Sequence, residues 1–333
     1  MIITRTPLRI SFFGGGTDYP AWYKENGGAV LNTTINKYCY ISCRYLPPFF
    51  SYKYRIRYVE REETQTIDEI KHNSVRECLK FLNIEHGIEM VHTSDIPARS
   101  GVGSSSAFTV GFLQALNALK GRMVTKRQLA RDAINVEHNL IKENVGSQDQ
   151  VAVAFGGLNK IEFGGEGNEF YVSPITISKE RIDLFQSHLM LFFTGFSRNA
   201  SDIAGEQIKK TPVLKNELHQ LKGMVDKAID ILNIDSCDIK GFGKLLHESW
   251  QIKRSLTHMI STDEIDTIYE TARRAGALGG KLLGAGGGGF ILLFAEPAIQ
   301  YKIKEKLKNI LYVPFAFEKL GSQVIMYSTQ DFY

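Results

Sequence analysis

The segment Pro97-Ala-Arg-Ser-Gly-Val-Gly-Ser-Ser-Ser-Ala107 constrains this chain more than any other. It joins a short β-prone run, Ile88 to Thr93, to a helix-like run from Phe108 to Lys120. Gly101 and Gly103 permit backbone turns where a Cβ would clash. Ser104, Ser105 and Ser106 bring hydroxyls to the helix start. Unpaired N–H groups and the positive end of the helix dipole favour an anion there. The segment predicts a phosphate cradle formed by Pro97, Ser100, Gly101, Val102, Gly103, Ser104, Ser105 and Ser106. An ordinary serine-capped helix would carry many of the same residues, so further signals have to separate the two readings.

Two other segments bear on the choice. Near the start lies Arg5-Thr-Pro-Leu-Arg-Ile-Ser-Phe-Phe-Gly-Gly-Gly-Thr-Asp-Tyr19, and near the end Lys281-Leu-Leu-Gly-Ala-Gly-Gly-Gly-Gly-Phe290. Neither is a Walker A loop: Gly280-Lys281 is followed by Leu282, and Ala275 stands where the first glycine should be. Gly284, Gly286 and Gly289 spell a dinucleotide-type glycine pattern, but Phe290-Ile-Leu-Leu-Phe294 follows it and reads as a buried strand, where a Rossmann turn needs a helix. A tight turn between strands is the plain alternative. Four consecutive glycines lose much entropy on folding, which favours close approach to a ligand or another backbone.

In order and character, the three segments resemble the three signature motifs of the GHMP kinase family, from Arg5 to about Phe294. The resemblance implies an α+β, two-lobed fold. A ribosomal-S5-like N-terminal lobe with the phosphate loop would span 1–165, and a ferredoxin-like C-terminal lobe with added helices 166–333. It implies ATP as phosphoryl donor and Mg²⁺ as cofactor, with Gly286 and Gly287 adding to the ATP site. It places Ser105 and Glu137 at the metal, Asp149 as catalytic aspartate and Arg9 as the basic residue beside it. Gly16, Thr17 and Asp18 would bind the sugar. Each has a plainer alternative: a solvated helix-face charge for Glu137, a helix cap for Asp149, a strand-edge charge for Arg9, a turn residue for Asp18.

Galactokinases carry Gly-Glu-His-Thr-Asp-Tyr where this chain carries Gly14-Gly-Gly-Thr-Asp-Tyr19. The missing side chains disfavour galactose and leave room for a bulkier sugar. With Thr194-Gly-Phe-Ser-Arg-Asn-Ala-Ser201, this form is similar to the branch of sugar 1-kinases acting on D-glycero-D-manno-heptose 7-phosphate, fucokinases being the neighbouring branch. The expected product is the 1,7-bisphosphate. A distal phosphate needs a cationic pocket; Arg198 is the first candidate, with Arg99, Lys37 and Arg55 behind it. A non-catalytic sugar and ATP sensor is a further alternative, against which Asp149, Arg9 and Glu137 together argue.

The remaining composition is consistent with an ordinary enzyme. The 333 residues suggest two domains or one large one. The formal charge of +4, from 40 basic and 36 acidic residues, is too balanced to indicate nucleic acid. Cys39, Cys43, Cys78 and Cys237 have no Cys-x-x-Cys spacing, which favours free thiols in a reducing compartment. The apolar runs Leu189 to Phe193 and Phe290 to Ala295 are too short to span a bilayer, and the opening residues lack a signal-peptide core. These features predict a cytoplasmic protein whose partners are a sugar phosphate and ATP, without nucleic acid or membrane, and they admit a homodimer.

Periodicity predicts strands over Ile10 to Phe13, Tyr38 to Tyr45 and Ile88 to Thr93, and helices over Thr66 to Phe81 and Lys126 to Asn144. Beyond a boundary at Gly164 to Asn168, helices are expected over Ser201 to Lys210, Val213 to Leu232, Gly241 to Ser255, Asp263 to Ala275 and Pro297 to Leu311. Strands around Leu189 to Thr194, Gly288 to Phe294 and Leu311 to Phe317 would form a second sheet.

Overall fold

Leu8 to Phe13 is apolar at nearly every position, as suits a strand covered on both faces. In the computed structural model, which describes residues 1–98, 100–165, 169–195, 200–234 and 236–328, this run is the inner end of strand Ile2–Phe13, buried from Thr6 onward. The strand lies between Gly28–Tyr45 and Gln323–Tyr327 in a nine-stranded sheet. Along the 18-residue strand Gly28–Tyr45, residues 39–45 pair with Ile88–Ser94 and residues 28–33 with Leu158–Phe163. The hairpin Tyr54–Arg57 and Arg61–Thr64 extends one edge, with Tyr54–Arg57 running parallel to Ile88–Ser94. Helix Ser104–Leu119, apolar on nearly all sides, packs across the first two strands.

A second, antiparallel sheet has the order Leu311–Tyr312, Leu189–Gly195, Gly289–Phe294, Gly279–Leu282. Helix Lys240–Ser255 packs against Gly279–Leu282, and Lys215–Asn233 joins it to the first sheet. Phenylalanines bind the two halves. Phe12 of the first sheet lies 5.3 Å from Phe185 and 5.6 Å from Phe242, and Phe242 lies 5.8 Å from Phe294 of the second. Burying each such ring stabilises the fold by roughly 1.5–3 kcal/mol, so the halves share one core. The fold is α+β, as expected.

A division at 165/166 is crossed by the strands. Phe170–Pro174 pairs with Leu158–Phe163, while Phe317–Glu318 and Gln323–Tyr327 return to the first sheet. The run expected as one strand, 311–317, is therefore two short strands in different sheets. The helix expected from Thr66 begins only at Asn73. Glu62 accepts from the backbone N–H groups of Lys71 and His72, and His72 caps Val75. Those contacts hold 66–72 outside the helix. The helix expected over 126–144 is α-helical for Lys126–Asn135 and then opens into a π-helical turn, Val136–Leu140. The helix expected over 297–311 is a 3₁₀ turn, Pro297–Ile299, and a helix, Gln300–Lys306.

Candidate active site

The phosphate loop is stitched to the first strand, where Val102 O accepts from Arg9 N at 3.0 Å. Gly103 has φ 76°, a left-handed conformation that suits glycine, and immediately precedes helix Ser104–Leu119. Among the described residues no side chain caps that helix, which leaves its leading N–H groups available to an anion. Ser100 Oγ donates to Pro97 O at 2.8 Å and fixes the loop's entry. The loop also rests on the predicted catalytic pair. A Cβ on Gly103 would stand 3.0 Å from Arg9 Cγ and 3.4 Å from Asp149 Oδ2.

Arg9 and Asp149 form a two-pronged ion pair. Arg9 Nε donates to Asp149 Oδ1 at 2.7 Å, and Nη2 to Oδ2 at 2.6 Å. Arg9 Nη1 donates to Gly101 O at 2.6 Å, tying the pair to the phosphate loop. The Arg9 side chain is 5% exposed and Asp149 23%, so the carboxylate is the member open to a ligand. Asp149 sits in the first turn of helix Gln148–Phe155, and Ser147, not Asp149, holds the cap position.

Asp18 is buried beside the pair. It accepts from Gly16 N at 2.9 Å and Gln148 N at 3.4 Å. Burial, and then the neighbouring Asp149, hold its carboxyl above the usual carboxylate range. A Cβ at Gly146 would stand 1.8 Å from Asp18 Oδ2, so only glycine admits the carboxylate there. Thr17, expected at the sugar, is fully buried. Its hydroxyl donates to Gly14 O at 2.8 Å and Ala29 O at 2.9 Å, holding the loop in shape.

Glu137 lies on the π-helical turn, a distortion frequent at functional sites, and is fully buried instead of lying on a solvated face. Its Oε2 accepts from Ser106 Oγ at 2.9 Å and from Gln150 Nε2. Oε1 has no partner among the described residues. Burial pushes this carboxyl up to about 7, against the hydrogen bonds that it accepts. The serine bonded to Glu137 is Ser106; Ser105, expected at the metal, is exposed one position earlier.

The second glycine loop meets the first backbone to backbone. A Cβ on Gly284 would stand 2.6 Å from Gly101 Cα, and one on Gly289 2.4 Å from Ser100 O. Gly286 and Gly287, expected at ATP, lie against Ile260, with Gly287 N donating to Ile260 O at 3.0 Å. Sequence reasoning missed two buried lysines here. Lys253 Nζ donates to Gly284 O at 2.5 Å, and Lys281 Nζ to Phe12 O at 2.9 Å. Burial, then Arg9, pushes Lys253 down to about 8. Burial, then Lys253 and Arg9, holds Lys281 well below the usual lysine range. The missed signal is that Lys253 continues the buried stripe Phe242, Leu246, Trp250 on its helix.

Of the phosphate-pocket candidates, Arg198 and Arg99 lie outside the described residues. Arg55 is held by Glu89 at 3.3 Å and by the Phe50 ring at 4.3 Å; Lys37 is partly exposed on Gly28–Tyr45. Among the described residues no three His, Cys, Asp or Glu side chains cluster as a metal site, and no helix is long and apolar enough to cross a membrane.

Residues 72–157 match the GHMP kinases N terminal domain, and residues 231–313 match GHMP kinases C terminal. A D-glycero-alpha-D-manno-heptose 7-phosphate kinase of Campylobacter jejuni subsp. jejuni is 30% identical, across 96% of this chain and 97% of that protein. The chain belongs to the GHMP kinase family. It is a phosphotransferase with an alcohol group as acceptor, in a family of ATP-dependent kinases. A galactokinase of Thermotoga maritima is 24% identical to this GHMP kinase over 91% of the chain and 92% of the relative. The fold is shared with a D-glycero-D-manno-heptose 1-phosphate kinase from Bacteroides thetaiotaomicron, at TM-score 0.79 and 24% identity over 98% of this chain and 100% of the other. It is shared too with a Lactococcus lactis galactokinase complexed with galactose, at TM-score 0.72 and 18% identity over 97% and 94%.

Proposed function

We propose that this GHMP kinase transfers the γ-phosphoryl group of ATP to the anomeric hydroxyl of D-glycero-D-manno-heptose 7-phosphate, giving the 1,7-bisphosphate for nucleotide-heptose and surface glycan synthesis. The observation that carries the reading is the Arg9–Asp149 pair pressed against Gly103, at the start of an uncapped helix. An acceptor hydroxyl beside Asp149 would lie next to the phosphate cradle, where positioning and charge neutralisation do most of the work of phosphoryl transfer. The choice of sugar rests on the Gly14–Asp18 motif and on the named activity of the 30% identical relative.

In this reading Asp149 Oδ2 accepts the proton of the acceptor hydroxyl as the new P–O bond forms, the bond from the γ-phosphorus to the bridging oxygen breaks and ADP leaves. Arg9 holds the carboxylate in place and stabilises charge developing on the transferred group. Asp18 accepts from a second sugar hydroxyl. Phosphates rest on the N–H groups of Ser104, Ser105 and Ser106. The unpartnered buried Glu137 Oε1, beside the Ser106 hydroxyl, fits Mg²⁺, which takes hard oxygens and few protein carboxylates. Bound there with ATP, Mg²⁺ would offset phosphate charge. Arg198 is our candidate for the distal phosphate. ADP release measured with D-glycero-D-manno-heptose 7-phosphate, D-mannose, D-galactose and L-fucose tests the reading, and a preference for L-fucose or another free sugar would overturn the choice of heptose phosphate.

A further inference from the structure

Beside Arg9 and Asp149, three polar side chains carry buried atoms with no hydrogen-bond partner. Ser11 lies two residues beyond Arg9 with no register shift between them, so both point to one face. It stands opposite Asn32 on Gly28–Tyr45, which sets the two side chains together on that face. Gln148 immediately precedes Asp149. A Cβ at Gly15 would stand 3.8 Å from Gln148 Nε2 and 3.9 Å from Ser11 Oγ, so Gly15 lies against both.

Ser11 is 6%, Asn32 0% and Gln148 9% exposed. Ser11 Oγ, Asn32 Oδ1, Asn32 Nδ2 and Gln148 Oε1 lack partners among the described residues. Leaving such atoms unpaired is costly, and folded proteins rarely do it without a use. A buried water is the ordinary remedy, but Ser11 and Gln148 lie against partly exposed Gly15, and Gln148 adjoins the acceptor-side residue Asp149 in the chain.

We propose that Ser11, Asn32 and Gln148 form a neutral hydroxyl-recognition subsite that orients the acceptor polyol beside Asp149. The inference rests on the sugar-kinase reading above and adds residues to it. Each sugar hydroxyl both donates and accepts. Asn32 supplies an acceptor and two donors, Ser11 either role, and Gln148 Oε1 an acceptor. Without a formal charge, the set favours hydroxyls over a carboxylate or an ammonium group.

The experiment compares wild type, Ser11→Ala and Asn32→Leu, using initial rates with D-glycero-D-manno-heptose 7-phosphate and L-fucose and ligand-free thermal melts. Ser11→Ala should raise the acceptor KM about 10-fold, the usual scale for one lost hydrogen bond, and leave the ATP KM within about two-fold. Its ligand-free melting temperature should stay level or rise, because an unpaired buried hydroxyl is gone. Asn32→Leu should act in the same direction and more strongly; should it fail to fold, Ser11→Ala decides alone. An unchanged acceptor KM, an equal rise in the ATP KM, or a fall in the melting temperature of Ser11→Ala would overturn the subsite and leave the sugar-kinase reading standing. A wild type that phosphorylates neither sugar but does phosphorylate a carboxylate-bearing alcohol would overturn both.

Discussion

Glu137→Gln separates the electrostatics of the buried carboxylate from its shape. The substitution keeps an oxygen to accept from Ser106 and Gln150 and removes the charge. In the wild type the folded-state value is about 7, against an ordinary 4.5. A carboxyl raised by folding contributes stability that is present below about 4.5 and lost as pH rises through about 7. Between pH 5 and pH 8 the wild type should lose ~2–3 kcal/mol from this group alone. The glutamine variant lacks that loss. Urea unfolding of both proteins without nucleotide or metal, at pH 5, 6, 7 and 8, reads the difference directly. The variant's stability relative to wild type should climb by that amount across the series, whatever the fixed cost of the swap at pH 5. A pH-independent difference would refute the claim that burial raises the Glu137 carboxyl. In activity assays at pH 8 the same variant should need a higher Mg²⁺ concentration for half-maximal rate.

Asp149→Asn should retain ATP affinity and lose most turnover, since the proton acceptor goes and the volume hardly changes; near wild-type kcat would remove Asp149 from that role. Gly103→Val should weaken ATP binding far more than acceptor binding, because a β-branched side chain would strain φ 76° and meet Arg9 Cγ; calorimetry showing equal ATP affinity in a folded variant would contradict the cradle. Lys253→Met should lower kcat ~10- to 100-fold by freeing Gly284 O and removing a positive charge near Arg9. Lys253 is charged below about 8, so wild-type activity should fall as pH rises through that value, and Lys253→Met should lack this alkaline limb.

Local chemistry made much of the site legible. Glycines, serines and an apolar run after them announced the phosphate loop, because anion binding at a helix start uses residues that are near neighbours in sequence. Glu137 was found, but its turn was read as plain helix, since π-helical geometry leaves little trace in periodicity. Contacts between distant segments were not legible. Lys253 meets Gly284 only once its helix has packed against Gly279–Leu282, and the choice of Ser106 over Ser105 beside Glu137 depends on how the helix start is rotated. Val324-Ile-Met-Tyr327 is a β-prone run, but nothing local shows that it rejoins the first sheet beside Ile2–Phe13.

That return has a consequence for how the protein is made. Met1 N donates to Ser328 O, residues 327 apart, and Gln323–Tyr327 pairs along the strand that carries Arg9. On a ribosome adding residues in order, Ile2–Phe13 emerges early and must wait for nearly the whole chain before its second neighbour exists. Until then one side of that strand is an open edge, which invites pairing with another chain. Nascent chains stalled before residue 323 should therefore depend on chaperones far more than full-length chains do, and the last strand, remote from the phosphate loop in sequence, closes the sheet on which the Arg9–Asp149 pair is built.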